Sequence, residues 1–223
     1  MRIVLIRHAE STGNAGGMLQ GHAEFDLSET GLRQAEMLYE RFRAESFMPS
    51  AVYSSPQKRT ARTAQIVTRD WAAGIEHWDD LKEHDIGVFS GMTWREIEQA
   101  FPEMAQAYAQ WRNWDVVEGA EKIHQRQERG NRVVNTVLER HGNDDTVALF
   151  THGGILQHIV AALMGTDRVW GVPVKNTAIF DFTLDLERWR KGEDRHHNFH
   201  WRIDRFNDAT HLDGLRKGEV LEG

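Results

Sequence analysis

Ile3-Val4-Leu5-Ile6-Arg7-His8-Ala9-Glu10-Ser11-Thr12 is the stretch that decides how this chain of 223 residues folds. Its four consecutive apolar residues predict a short buried strand over residues 2–6. The strand ends by presenting a guanidinium group and an imidazole ring side by side. A neutral imidazole can attack phosphorus, and a guanidinium group binds two phosphoryl oxygens in a fork. The stretch therefore favours chemistry on phosphate, with His8 as the nucleophile.

The composition limits the size and the compartment of the protein. The length predicts one compact domain over residues 1–223. Hydrophobic residues make up 40% of the chain, yet no apolar run approaches the roughly 20 residues that a membrane-spanning helix needs. The first residues lack the pattern of a secretory signal, which predicts a cytoplasmic location. Cysteine is absent, so disulfides and thiolate chemistry are excluded.

The charge balance limits the partners. The formal net charge is −7, whereas nucleic acids and anionic lipid surfaces favour positively charged partners. We therefore expect neither nucleic acid nor membrane as a partner. Any site for an anion must be formed by a local group of positively charged residues. The sequence leaves open whether the chain is a monomer or a homodimer.

The hydrophobic periodicity predicts strands alternating with helices, as in a three-layer α/β/α sandwich around a mostly parallel sheet. The predicted strands cover residues 2–6, 51–53, 75–78, 146–150, 178–186 and 199–206, and the last two are expected to form a hairpin at a sheet edge. The predicted helices cover residues 28–44, 57–72, 118–140 and 155–164. Glycine-rich segments at 13–21 and 83–91 are typical of loops. An inserted helical region at 93–119, interrupted by Pro102, is expected to form a lid.

Several side chains suited to phosphate chemistry follow the predicted strands. His8 and His152 each come directly after one, and the carboxyl ends of parallel strands meet at one edge of a sheet. Gly153 and Gly154 open the helix after His152, where backbone N–H groups favour a bound anion. Arg59 and Arg62 lie three residues apart on the helix after the second strand.

A proton donor is the other group that such chemistry requires. Glu83 is the best placed carboxylate, because it lies in the predicted loop at 83–91, although Glu10 and Asp85 are alternatives. His196, His197 and His200 could suggest a metal site, but no acidic or cysteine partner stands at ligand spacing. A solvated hairpin is the favoured interpretation there.

Taken together and in order, these motifs resemble those of the histidine phosphatase superfamily, also called the phosphoglycerate mutase-like family. The resemblance covers nearly the whole chain and rests on six segments, namely 7–14, 54–60, 81–91, 151–154, the turn at Asn176 and 201–212. One difference is Ala9, which replaces the usual glycine after the nucleophile and keeps the side chain small.

The resemblance implies a role for each matched position. His8 would be the phosphorylated nucleophile, Glu83 the general acid and then base, and Arg7, Arg59 and an imidazolium form of His152 the phosphate pocket. Fixed positive groups stabilise the charge that develops on the equatorial oxygens during phosphoryl transfer. The residues expected to contact substrate are Asn14, Ser11, Gln20, Gly21, Gly153 and Arg62. Arg62 could either enlarge the pocket or point to solvent.

The family contains both phosphatases and mutases. The segments Thr12-Gly13-Asn14, Leu19-Gln20-Gly21-His22 and Gly87-Val88-Phe89-Ser90-Gly91 resemble the phosphatase branch. The mutases usually have Trp-Asn, Gly-Trp-x-Asp and Tyr-Gly-x-Leu-x-Gly-Leu-Asn at the corresponding places. We therefore expect a phosphatase that needs no metal and no cofactor, and that releases inorganic phosphate from a small phosphorylated metabolite. Mutase-type phosphoryl transfer and a weakly active module that binds a phosphorylated ligand are the alternatives.

Overall fold

The computed structural model describes residues 1–169, 171–191 and 201–215. The strands are β1 (Arg2–Arg7), β2 (Met18–Leu19), β3 (Ala51–Ser54), β4 (Ile75–His77), β5 (Met92–Thr93), β6 (Thr146–Thr151), β7 (Ile179–Leu184) and β8 (Trp201–Asp208). The helices are α1 (Thr12–Ala15), α2 (Glu29–Ala44), α3 (Lys58–Val67), α4 (Trp94–Ala100), α5 (Pro102–Trp111), α6 (Ile123–Arg140), α7 (Gly153–Leu163) and α8 (Leu186–Lys191). Within these ranges, no helix combines the length and apolar character needed to cross a bilayer.

The main sheet has six strands in the order β4-β3-β6-β1-β7-β8. The first four are parallel to one another, while β7 runs antiparallel to β1 and β8 antiparallel to β7. The expected α/β fold around a mostly parallel sheet is thus confirmed, as is the antiparallel hairpin at one edge. The sheet places β1 next to β6, so the two strands that precede His8 and His152 are neighbours.

Alternate residues of β1 bury themselves on opposite faces of the sheet. Ile3 and Leu5 belong to a core shared with α6 and α7, whereas Val4 and Ile6 belong to a core shared with α2 and α3. A central parallel strand needs apolar residues at every position because helices cover both of its faces. This explains the uninterrupted apolar run at the start of the chain and gives the three layers.

The glycine-rich segment at 13–21 is not the simple loop that the sequence predicted. Ser11 caps α1, since its hydroxyl accepts a hydrogen bond from Asn14 N and the Asn14 side chain bonds back to Ser11 N. This reciprocal capping stabilises a helical turn despite the glycines. The strand β2 then pairs with β5 in a separate small sheet.

Two predicted helix boundaries are wrong by about a turn. Helix α3 ends at Val67 rather than at residue 72, because Trp71 turns back to pack against Phe42 and Phe47. Helix α6 begins at Ile123 rather than at residue 118. The residues before it instead run beside the loop that carries Glu83, where Ile86 and Ala120 form a β-bridge.

The edge hairpin contains a helix that the sequence analysis missed. Helix α8 follows β7 directly and precedes residues 192–200. The proposed histidine cluster at 196, 197 and 200 lies outside the described residues. Among those that are described, no group of three potential ligands could hold a metal ion.

The segment 93–119 carries its own apolar cluster, separate from the two cores around the sheet. Helices α4 and α5 pack with the turn Gly87–Phe89, and Phe89 is fully buried between Trp94 and Tyr108. Trp114 packs against Tyr108 with ring centroids 4.4 Å apart and the ring planes tilted by 43°. The third tryptophan of the segment, Trp111, is 67% exposed.

Candidate active site

The register between β1 and β6 brings the two expected histidines together. Arg7 is paired with Thr151 across the parallel ladder, so His8 and His152 leave the sheet at the same level. The backbone N–H of His8 donates to Thr151 O at 2.9 Å, which continues the ladder by one bond. The two imidazole centroids are 5.1 Å apart.

His8 is held in the form that a nucleophile needs. Its Nδ1–H donates to Ala9 O at 2.6 Å, which leaves the lone pair on Nε2. Burial, together with the nearby positive charges of Arg7 and Arg59, holds the pKa of His8 well below its usual range. The ring is therefore neutral at physiological pH. Asn176 fixes the residue from the other side, because its Nδ2 donates to His8 O at 3.0 Å.

Two guanidinium groups flank this imidazole. Arg59 is 1% exposed and donates to Gly21 O and Ala23 O, both at 3.0 Å. Burial lowers the pKa of Arg59 to about 10, a value that still leaves it cationic. Arg7 donates to Val174 O, and burial lowers its pKa as well. In the described part of the chain, the buried Nε atoms of both arginines have no hydrogen-bond acceptor.

His152 differs from its expected state. Its Nε2 lies 2.8 Å from Ser55 Oγ and 3.0 Å from Thr60 Oγ1. Burial and the positive charge of Arg59 hold the pKa of His152 well below its usual range. The imidazolium that the sequence analysis expected is therefore not the form favoured here, since a buried ring beside a guanidinium group loses its proton.

Glu83 occupies the N-terminus of α7. Its Oε2 accepts from Gly154 N at 2.9 Å, and its Oε1 accepts from Ile155 N at 3.0 Å and from the backbone N and Nδ1 of His84 at 2.9 and 3.1 Å. Burial would raise the pKa of Glu83, but the hydrogen bond and electrostatic interaction with His84, the interaction with His152 and the hydrogen bond from Gly154 N together hold this pKa well below its usual range. The expectation that the glycines after His152 offer their N–H groups to a ligand is thus wrong for Gly154, whose N–H binds this carboxylate.

The close approach of Glu83 and His84 to α7 requires glycine at position 154. A Cβ atom there would lie 2.3 Å from His84 Nδ1 and 2.5 Å from Glu83 Oε1, closer than real Cβ contacts allow. A Cβ at Gly153 would meet nothing nearer than Arg7 Nε at 3.4 Å.

Gly154→Ala is therefore expected to displace the Glu83 carboxylate and to lower kcat by roughly 10-fold or more. A general acid must lie within hydrogen-bond distance of the oxygen that it protonates. Steady-state kinetics on the purified variants would measure the effect. Gly153→Ala is the matched comparison and should lose much less. An alanine at 154 that matches the wild type in rate would contradict the steric argument.

The loop after β1 contributes most of the other expected contact residues. Asn14 Oδ1 accepts from the backbone N of Ser11, and its Nδ2 has no hydrogen-bond partner among the described residues. Ser11 is fully buried and donates its hydroxyl proton to Gln20 Oε1 at 2.7 Å. Gly21 contributes its carbonyl oxygen to Arg59. Hydrogen bonds made by Ser11, Gln20 and Gly21 thus stabilise the conformation of this loop.

Arg62 forms no side-chain hydrogen bond with His8, His152, Arg59 or Glu83. Its side chain is exposed and reaches only Gln65 Oε1 at 3.5 Å, on the same helix. The two carboxylates that were alternatives to Glu83 as proton donor form hydrogen bonds with other groups. Glu10 accepts from Ser28 Oγ at 2.6 Å, and Asp85 accepts from Gly87 N at 2.9 Å.

Four residues that contact the histidines, Arg59 or Glu83 carried no role predicted from the sequence. Ser55 and Thr60 form hydrogen bonds with His152, and their places directly after β3 and directly after Arg59 were the available signal. Gln57 joins two loops, since its Oε1 accepts from Glu83 N at 2.8 Å and its Nε2 donates to Gly21 O at 3.0 Å. His84 touches the Glu83 carboxylate, and only its adjacency in sequence could have indicated this.

The fold and this arrangement of buried histidines and arginines define a class of protein, an α/β phosphatase, and the family follows from comparison with known proteins. The family model described as the histidine phosphatase superfamily, branch 1, matches residues 3–193. The chain therefore belongs to the histidine phosphatase superfamily. The resemblance stated from the motifs is confirmed, and so is the expected type of enzyme, a histidine phosphatase.

Relatives with assigned names cover most of the chain. A metal-independent phosphoserine phosphatase of Arabidopsis thaliana is 36% identical over 215 residues, which are 96% of this chain and 84% of that protein. Phosphoserine phosphatase 1 of Hydrogenobacter thermophilus is 30% identical over 80% of this chain and 84% of its own. Among solved structures, YhfR of Bacillus stearothermophilus superposes with a TM-score of 0.78 at 25% identity, covering 95% of this chain and 98% of its own.

Proposed function

We propose that this protein is a metal-independent phosphomonoesterase that acts on a small phosphorylated metabolite through a phosphohistidine at His8. The observation that carries the proposal is the buried, neutral imidazole of His8 beside the buried guanidinium groups of Arg7 and Arg59. Attack on a phosphate dianion needs an uncharged nucleophile and fixed positive charge around the phosphoryl oxygens. Buried N–H donors without an acceptor strongly favour an anion as their partner.

In the first half-reaction, His8 Nε2 forms a bond to phosphorus while the bond from phosphorus to the alcohol oxygen breaks. The proton on Glu83 goes to the departing oxygen. In the second half-reaction, a water molecule gives a proton to the Glu83 carboxylate and attacks phosphorus. The bond from His8 to phosphorus then breaks and inorganic phosphate leaves. One carboxyl group thus serves as acid and then as base.

The two steps require Glu83 to change its protonation state. The surrounding N–H groups favour the carboxylate before substrate binds. A phosphate dianion beside Glu83 opposes this, because a nearby like charge disfavours the ionised form. Substrate binding therefore promotes the acid form, and transfer of the phosphoryl group to His8 is followed by the base form. The same negative charge favours protonation of His152 in the complex.

The other expected contact residues divide into three groups in this proposal. Asn14 offers its free Nδ2 to the phosphoryl group, and Gly153 lies beside Arg7 at the start of α7. Ser11, Gln20 and Gly21 support the loop, and Arg62 stays in solvent. These assignments predict that Asn14 substitutions raise KM more than substitutions at Arg62.

Phosphoserine is the substrate we place first. Two relatives at 36% and 30% identity carry the name phosphoserine phosphatase. A structural neighbour, a mutant phosphoserine phosphatase of Entamoeba histolytica in complex with phosphoserine, shares the fold with a TM-score of 0.74 at 20% identity.

Release of inorganic phosphate from a panel of phosphomonoesters, measured with and without a chelator, tests the proposal. The panel includes phosphoserine, phosphoethanolamine, 3-phosphoglycerate and p-nitrophenyl phosphate. We expect release that the chelator leaves unchanged, with the highest kcat/KM on phosphoserine. Binding of these compounds without phosphate release or phosphohistidine would instead identify a phospho-ligand binding module.

Mutase activity is the second candidate, because a phosphoglycerate mutase-like protein of Arabidopsis thaliana is 27% identical over 95% of this chain and 86% of its own. The same panel separates the two reactions. Movement of phosphate between the two carbons of phosphoglycerate, without release, would show a mutase and overturn the phosphatase proposal.

A further inference from the structure

The two oxygens of the Glu83 carboxylate have unequal surroundings. Oε1 accepts three N–H groups, from His84 N, His84 Nδ1 and Ile155 N, whereas Oε2 accepts one, from Gly154 N. An oxygen that already faces three donors is the worse place for a proton, because an added O–H would point at N–H hydrogens. Oε2 is therefore the oxygen free to take and give a proton.

His84 is built into this position from several sides. Its side chain is 12% exposed and Trp114 packs edge-on against the ring, with centroids 5.4 Å apart. Gly154 leaves the space in which the His84 ring meets the carboxylate. Its Nε2 is buried and has no hydrogen-bond partner in the described ranges, so the imidazole makes its one hydrogen bond to Glu83.

We propose that His84 is a positioning residue that engages Oε1 of Glu83 and thereby assigns proton transfer to Oε2. This inference rests on the proposed function, since Glu83 must act there as acid and base. The proton passes from Oε2 to the alcohol oxygen in the first step and from water to Oε2 in the second.

The other titratable groups around Glu83 remain in place when His84 is changed. Arg7, Arg59, His8 and His152 all interact electrostatically with this carboxylate. His158 lies on α7 near His84. The effect of His84 can therefore be tested with one variant that lacks a donor at the Nδ1 position and one that keeps a donor there.

The variants His84→Phe and His84→Asn separate the hydrogen bond from packing. Phenylalanine keeps a ring against Trp114 but has no donor, whereas asparagine places an amide N–H near the position of Nδ1. The titration of Glu83 is followed by ¹³C NMR of the side-chain carboxyl, identified by its loss in Glu83→Gln. We expect the midpoint to rise by about one pH unit or more in His84→Phe, since a hydrogen bond to the charged form is lost. In His84→Asn it should stay closer to the wild type.

Kinetics give a second readout. Discharge of phosphohistidine needs ionised Glu83, so the acid limb of the kcat profile should move to higher pH in His84→Phe, and phosphoenzyme should accumulate at acid pH. His22→Ala is the matched control, because His22 Nε2 bonds the backbone oxygen of Glu83 at 2.8 Å and not its carboxylate. That variant should leave the Glu83 midpoint unmoved.

Three results would overturn the inference. They are an unchanged midpoint and acid limb in a folded His84→Phe protein, an asparagine variant that behaves like the phenylalanine variant, and an equal shift in His22→Ala. Circular dichroism checks the fold of each variant. If the wild type releases no phosphate at all, the proposed function fails, while the NMR titration still decides the role of His84.

Discussion

His8→Ala is expected to abolish turnover, with kcat/KM falling at least about 10⁴-fold, because no other group can form the covalent intermediate. The phosphoenzyme, labile in acid and stable in alkali, should disappear with it. The fold should survive, since the bond from His8 N to Thr151 O belongs to the backbone. Rapid-quench trapping with a labelled phosphomonoester, followed by acid and alkali treatment, measures the intermediate.

His77→Ala is the control for that experiment, because His77 is an exposed histidine on β4. It should form phosphoenzyme at the wild-type rate. A phosphoenzyme that persists in His8→Ala would assign the nucleophile to another residue and would contradict the proposed mechanism.

Glu83→Gln should lower kcat on alkyl phosphates by about 10²- to 10⁴-fold, the usual contribution of general acid-base catalysis. Glutamine keeps the size of the side chain, and its amide oxygen can still accept the donors at Oε1. Its NH₂ group would face the N–H of Gly154, where the wild type has Oε2. The variant therefore loses both the transferable proton and one stabilising contact.

The leaving group distinguishes the acid role from a binding role. Phosphoenzyme formation from p-nitrophenyl phosphate needs little protonation of the departing oxygen, so its rate should fall much less than that from phosphoserine. Asp85→Asn, in the same loop, should show no such dependence. An equal loss on both substrates would mean that Glu83 acts by binding rather than as an acid.

The fold was largely predictable because its central strands are buried on both faces. Continuous apolar runs of three or four residues, each followed by a polar loop, predict such strands directly. Helix α8 was missed because it lies between two strands of an antiparallel hairpin, where no strong apolar period marks it. The last residue of α3 depends on Trp71 and the first residue of α6 depends on Ala120, and both contact residues that are distant in sequence.

For the site, the sequence predicted the residue types but not their contacts or protonation states. The positions of His8 and His152 follow from the ends of adjacent parallel strands, which a sequence pattern can indicate. The contact between Glu83 and the N-terminus of α7 joins residues 71 positions apart, and no local pattern encodes it. Protonation states escaped prediction for the same reason, because the pKa of His152 depends on burial and on the neighbouring Arg59.

The pairing of Arg7 with Thr151 has a wider consequence. Because hydrogen bonds between two core strands set the distance between the imidazoles, that distance is insulated from changes at the rim of the molecule. Surface loops can then vary in length and composition while the spacing of His8 and His152 stays the same.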